Sequence, residues 1–238
     1  MKNNKKAIVI LGGMEPQASA HLVQILIDKS IKDFNAKNGD EFPEIILDSI
    51  PIPDFISDPA SIPQALKLLK ERVKILSKLK ISSFALACNT AHVLFNKLQL
   101  TTEVPFISMI DETVDQVDAK GMVRVGLLAS PSSIKFGIFQ KALGNRNIEV
   151  IIPTEKEQFI VETIIRKVIR GKISELDQLK LISIADSLKK RGAQGIILGC
   201  TELPLVFPKR FTIPIFNSLE ILANAALLKL HEGNTITS

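Results

Sequence analysis

Cysteine is scarce in this chain: two residues, Cys88 and Cys200, in 238. Two cysteines cannot build the disulfide framework of a small secreted domain. The two thiols alone fall short of a four-ligand zinc site, with only three histidines (His21, His92 and His231) to complete one, and no metal is expected. Tryptophan and tyrosine are absent, and all 12 aromatics are phenylalanine. These lie scattered among apolar neighbours and give no stacking platform for nucleic acid. No apolar run approaches the roughly 20 residues of a membrane helix. Glycine and proline, 12 of each, are too few for a collagen-like or low-complexity chain. Charge of one sign is in small excess, with a net charge of +5. Apart from a cluster in the first six residues, the basic residues are mixed with acids, as across residues 67–80, and read as a solvated surface. The run Ala7–Leu11 is too short for a signal-peptide core, and Gly12-Gly13 follows it without a cleavage pattern. It reads as a buried first strand. A cytoplasmic protein is expected, with neither a membrane nor a nucleic acid as partner.

What is present fits a folded α/β protein: 46% hydrophobic residues and 23% charged, over a length that supports one large domain or two smaller ones. Short β-branched runs alternate with longer amphipathic stretches. Strands are predicted at residues 7–11, 45–49, 83–87, 106–107, 124–129, 149–152, 195–199 and 214–216. Most are unbroken apolar runs, the mark of parallel strands covered on both faces. Helices are predicted at 17–35, 62–79, 132–143, 156–169, 174–191 and 218–231. Such alternation argues for parallel sheets flanked by helices. A fresh strand–helix series follows Lys120-Gly121, which suggests a second lobe. The irregular stretch from Pro51 to Pro63 follows a strand and belongs at the carboxyl edge of a sheet, where ligands bind in such folds.

A weak internal repeat orders these elements. Phe84-Ala85-Leu86-Ala87-Cys88-Asn89-Thr90 in one half parallels Ile196-Ile197-Leu198-Gly199-Cys200-Thr201-Glu202 in the other. In each, an apolar strand ends in a small residue, then cysteine, then a hydroxyl or amide residue, then an expected helix start. The thiols are either small buried hydrophobes or reactive groups. A cysteine between a strand and a helix sits beside unsatisfied N–H groups, which favour a thiolate and can hold a carboxylate. Two equivalent lobes facing one another would place two acid/base groups about one bound carboxylate. That suits removal of a proton from one face of a carbon and its return on the other, with N–H donors stabilising the charge that develops.

With Leu11-Gly12-Gly13-Met14 and Pro16 after the first strand, Cys88-Asn89-Thr90-Ala91-His92, and Gly199-Cys200-Thr201-Glu202-Leu203-Pro204, the chain resembles the aspartate/glutamate racemase family, the cofactor-independent amino-acid racemases. The motifs span nearly the whole chain in the family's order. The resemblance implies two pseudo-symmetric α/β lobes with the active site in the cleft between them: residues 1–117 with 216–238, carrying Cys88, and residues 118–215, carrying Cys200. It implies no cofactor, an amino acid as substrate, and a homodimer. It also implies that Cys88 and Cys200 are the two bases, with the first-lobe cysteine acting on the D form. Asn89, Thr90 and Thr201 would hold the α-carboxylate, and Met14 with Gly12-Gly13 would line the site. His92, beside Cys88, is either an orienting or a catalytic residue. Glu202 either tunes the second thiol or occupies a helix's first turn. His21 and His231 read as surface or packing residues.

The sequence departs from the family's pattern at substrate-facing positions. Glu15 follows Met14 where the family carries a small residue, Phe55 stands where it often has arginine, and Asn217 stands where it usually has aspartate. A carboxylate at 15 would repel an acidic side chain, and losing the arginine removes that side chain's partner. Arg166, Lys167 and Arg170 are basic residues that could reach the site, although a solvated helix face suits at least two of them. Two alternatives stay open at this point: an isomerase or decarboxylase of a dicarboxylic acid, and a non-catalytic binding protein of the same fold.

Overall fold

The computed structural model describes residues 6–55 and 58–232; all but the last residue of the basic N-terminal cluster falls outside them. The chain divides into two compact units, one holding the residues up to Met109 together with those from Leu219 onward, the other holding Ile110–Ser218.

In the first unit β1 (Ala7–Gly12), β2 (Ile45–Ser49), β3 (Ile81–Leu86) and β4 (Phe106–Ile107) form a parallel sheet in the order β2-β1-β3-β4. Helix α1 (Pro16–Phe34) follows β1, α2 (Ile62–Leu76) follows β2, and α3 (Phe95–Gln99) precedes β4; α4 (Met109–Ala119), next in the chain, falls in the second unit from Ile110 onward. The two-residue period of a strand sorts the core. Val9 and Leu11 face Ala65, Leu69 and Val73 of α2 in one cluster, with Phe84 and Leu86. Ile8 and Ile10 face the opposite way, against Leu22 and Leu26 of α1 and Leu219, Leu222 and Leu227 of α9 (Ser218–Glu232). Both faces of the sheet are therefore covered, which is why its strands are continuously apolar. Each fully buried aliphatic side chain in these layers stabilises by about 2 kcal/mol. Phe34 of α1 stacks on His231 of α9, ring centroids 4.4 Å apart, so His231 packs as expected.

The second unit repeats the scheme. Strands β5 (Arg124–Ala129), β6 (Glu149–Ile151), β7 (Ile196–Gly199) and β8 (Ile215–Asn217) are parallel in the order β6-β5-β7-β8. Helices α5 (Pro131–Phe136), α6 (Ile138–Gly144), α7 (Glu155–Ile169) and α8 (Glu175–Lys190) lie between them in sequence. Val161, Ile164 and Val168 of α7 and Leu181, Ala185 and Leu188 of α8 close a core over Leu128, Ile196 and Leu198. The same second-first-third-fourth strand order in both units is the structural form of the repeat read from the sequence.

Three helical expectations are corrected. The single helix over 132–143 is two, because Gly137 takes a left-handed conformation (φ 65°) that ends α5 and begins α6. Helix α4 was not expected, although its buried Met109, Ile110, Val114 and Val117 recur at helical spacing opposite Asp111, Glu112, Asp115 and Asp118. The helix expected straight after each cysteine is a 3-10 turn instead, Thr90–Leu94 after Cys88 and Leu203–Leu205 after Cys200. Among the described residues, no helix is long and apolar enough to cross a membrane.

Candidate active site

Parallel strands all end on one edge of their sheet, so the segments that follow β1, β2 and β3 gather at a single edge of the first unit. The chain leaving β1 turns sharply there. Gly13 has φ +91°, and a Cβ on it would run into the backbone of Ile50, whose N–H donates to the Gly12 carbonyl at 3.1 Å. The Gly13 N–H donates to Ser19 Oγ at 3.2 Å, which fixes the turn to the first coil of α1. Met14 and Glu15 follow, both half-buried. Glu15 is the extended residue before α1 and makes no side-chain cap. Met14 packs against the cluster that contains Cys88 and Phe55. Phe55 itself is 1% exposed; it is core beneath this edge.

Cys88 lies two residues past β3, buried with Asn89, Thr90 and His92. Its own N–H is bonded to the Leu86 carbonyl at 2.9 Å, and the Ala87 N–H to the Leu11 carbonyl at 3.0 Å, so the loop is tied to the sheet on both sides. The ring of His92 bridges two main-chain atoms. The Met109 N–H donates to Nε2 at 3.1 Å, and Nδ1 faces the Cys88 carbonyl at 2.9 Å. A nitrogen that accepts cannot carry a proton, so Nε2 is bare and Nδ1 holds the hydrogen that it donates to Cys88. His92 is thus a neutral clamp that positions the cysteine's main chain.

In the second unit Cys200 follows β7 directly, and Gly199 pairs with Ala129 at the end of β5. The Cys200 thiol donates to Glu202 Oε2 at 2.9 Å, and the Thr201 hydroxyl donates to both carboxylate oxygens at 3.0 and 3.1 Å. Glu202 is 1% exposed, and neither of these donors is a cation. Asn217 ends the neighbouring strand β8 opposite Leu198, and Ser218 Oγ donates to the Leu198 carbonyl at 2.8 Å. The sequence reading missed Ser130 and Ser133. Ser130 directly follows β5, is buried, and accepts the Ser133 N–H at 3.2 Å as the cap of α5. A serine followed at once by proline after a strand was the available signal.

The 3-10 turns change the electrostatic argument. Three and five residues do not build the aligned peptide dipoles of a long helix. The neighbours in sequence that lie buried with each thiol are Asn89, Thr90 and the His92 clamp at Cys88, and Thr201 and Glu202 at Cys200. Of the three basic residues that could reach the site, two are paired locally. Arg166 pairs with Glu162 one turn away at 2.7 Å, Lys167 pairs with the buried Asp177 at 2.7 Å, and exposed Arg170 ends α7.

The sequence model of the family described as Asp/Glu/Hydantoin racemase matches residues 11–226. A broad specificity amino-acid racemase of Bacillus subtilis is 27% identical over 221 residues, covering 92% of this chain and 96% of that protein. The crystal structure of an aspartate racemase homologue from Pyrococcus horikoshii superposes with a TM-score of 0.82 at 26% identity, over 95% of this chain and 99% of that one. An aspartate racemase from Picrophilus torridus gives the same TM-score and identity, over 95% and 94% of the two chains.

Proposed function

We propose, from the premise that this chain belongs to the Asp/Glu/hydantoin racemase family, that Cys88 and Cys200 interconvert the enantiomers of an amino acid by a cofactor-independent proton transfer at Cα. The chain is an isomerase of the amino-acid racemase kind. The observation that carries the mechanism is the repeat itself: the third strand of each parallel sheet leads, at the same edge, into a buried cysteine followed by hydroxyl or amide residues. One cysteine, as thiolate, takes the Cα proton, and the electron pair left behind spreads onto the α-carboxylate. The other cysteine, as thiol, delivers its proton to the opposite face. The S–H bond formed on one residue balances the one broken on the other. Positioned acid and base groups of this kind each contribute about 10²- to 10⁴-fold. Asn89, Thr90 and Thr201 supply the carboxylate's partners, where growing negative charge gains most from fixed donors.

The substrate class in this reading is an amino acid that needs no acidic side chain. Glu15 adds a carboxylate to the turn after β1, and Phe55 is core where the family often has arginine. The broad specificity in the name of the Bacillus subtilis relative agrees with this. The assembly carried over from the family resemblance is a homodimer, which sedimentation equilibrium tests. A panel of L-amino acids followed by circular dichroism tests the substrate class. Racemisation of several neutral or basic amino acids is expected. Turnover confined to aspartate and glutamate contradicts the substrate class, and no turnover of any amino acid contradicts the mechanism.

A further inference from the structure

We infer that Cys200 and Glu202 share a single proton, and that Glu202 is the positioning residue that stores this proton when Cys200 has to act as a base. The inference rests on the racemase reading and adds to it the proton inventory of the second thiol.

The Cys200 Sγ to Glu202 Oε2 contact, 2.9 Å, requires a hydrogen between the two atoms. If both groups were ionised, two anions would face each other inside the protein, an arrangement that low dielectric penalises strongly. If both were protonated, a neutral carboxyl would meet a neutral thiol and the pair would hold two protons. Between these limits lies the singly protonated pair, which the two hydroxyl contacts from Thr201 favour because they solvate a carboxylate. The pair has two forms, thiol with carboxylate and thiolate with carboxylic acid. They differ only in which side of the 2.9 Å contact carries the hydrogen.

Both forms have a use. In the first, Cys200 is a thiol ready to protonate Cα; its S–H bond breaks, the proton goes to carbon, and solvent restores the proton afterwards. In the second, the thiol's proton has moved to Glu202, and Cys200 is a thiolate ready to take the Cα proton. One negative charge and one proton are conserved in the exchange. No such store operates through His92, whose two ring nitrogens are engaged with main-chain atoms. The two halves of the repeat thus handle protons differently: a neutral histidine clamps the backbone in one, and a carboxylate shares a proton with the thiol in the other.

The absence of tyrosine and tryptophan makes the test direct, because thiolate absorbance in the far ultraviolet is not obscured by phenolate or indole. In Cys88→Ser protein, Cys200 is the only thiol left to titrate. Its thiolate absorbance is expected to appear above the ordinary thiol range, which centres near pH 8.5. Adding Glu202→Gln replaces the carboxylate by an amide that donates to a thiolate, and the midpoint is expected to fall by about one pH unit or more. Glu202→Asp, one methylene shorter, is expected to give a smaller fall, and it provides the reading should the glutamine variant not fold. An unchanged or raised midpoint in the folded Glu202 variants overturns the inference. The readout needs no substrate, so it stands apart from any failure of the racemase reading. In the otherwise native protein, Glu202→Gln is also expected to move the alkaline limb of the kcat/KM profile to lower pH. That profile falls equally for the two enantiomers, since their free energies are identical; a purely structural defect lowers it without moving the limb.

Discussion

His92 meets Cys88 at the cysteine's carbonyl oxygen, 2.9 Å from Nδ1, while its other nitrogen accepts the Met109 N–H at 3.1 Å. Truncation by His92→Ala strips a donor from one buried main-chain group and an acceptor from another. The expected loss of stability is about 1–3 kcal/mol, read from denaturant unfolding. Displacement of the Cys88 loop should lower kcat roughly tenfold to a hundredfold. Long-range proton–nitrogen NMR of the three histidines checks the tautomer: His92 should show a protonated Nδ1 and a bare Nε2.

Asp177 gives an acid-sensitive stability. Its carboxylate accepts from Lys167 Nζ and Ser174 Oγ, each at 2.7 Å, and from the Ser174 N–H at 3.0 Å, closing the first turn of α8. The Lys167 and Ser174 hydrogen bonds hold its pKa below the ordinary aspartate value. A carboxylate with a depressed native pKa stabilises fully above its unfolded value, about 3.9, and loses that contribution as pH falls through the native one. Thermal unfolding of Asp177→Asn should therefore lie below that of the native protein near neutral pH, and the two curves should converge at strongly acid pH.

Gly13→Ala tests the turn after β1. The left-handed backbone and the close approach of Ile50 leave no room for a methyl group. The expected outcome is a protein less stable by about 1–3 kcal/mol, with activity reduced through the displaced Met14 and Glu15. A neutral effect on both unfolding and turnover would show that the turn is not built this way.

Phe55→Arg separates a specificity position from a core position. Phe55 is 1% exposed in the cluster that also holds Leu69, Phe84 and Cys88. A guanidinium placed there meets apolar groups, and an unpaired buried charge is costly. Loss of folded protein or a strongly lowered Tm is expected, with no gain of aspartate turnover. A stable variant that gains aspartate racemisation would return Phe55 to the substrate's side.

The fold was legible in the sequence because its strands are buried on both faces. Ala7–Leu11, Arg124–Ala129 and Ile196–Gly199 carry hardly a polar residue, and parallel sheets covered by helices impose that pattern. The backbone after Cys88 was not legible, whereas two prolines in the sequence mark that no long helix follows Cys200. Pro204, early in the short turn, and Pro208 just after Phe207 leave no room for a long helix beyond Cys200. At Cys88 a 3-10 turn precedes α3 with the same apolar spacing as a helix, so periodicity did not distinguish them. The site was legible as motifs and not as contacts. Glu202 read equally as a first-turn acid or a tuning group, because only the folded backbone shows its carboxylate under the Cys200 thiol. Lys167 read as a basic residue able to reach the site or lying on a solvated helix face, because its partner Asp177 belongs to the next helix.

The central claim, that both cysteines serve one proton transfer, is tested most directly in D₂O with a racemised amino acid and three proteins: native, Cys88→Ser and Cys200→Ser. The account predicts that native protein places deuterium at Cα of the product enantiomer and that each single variant loses racemisation. Racemisation at the native rate by either variant, or product formed without deuterium, would contradict it.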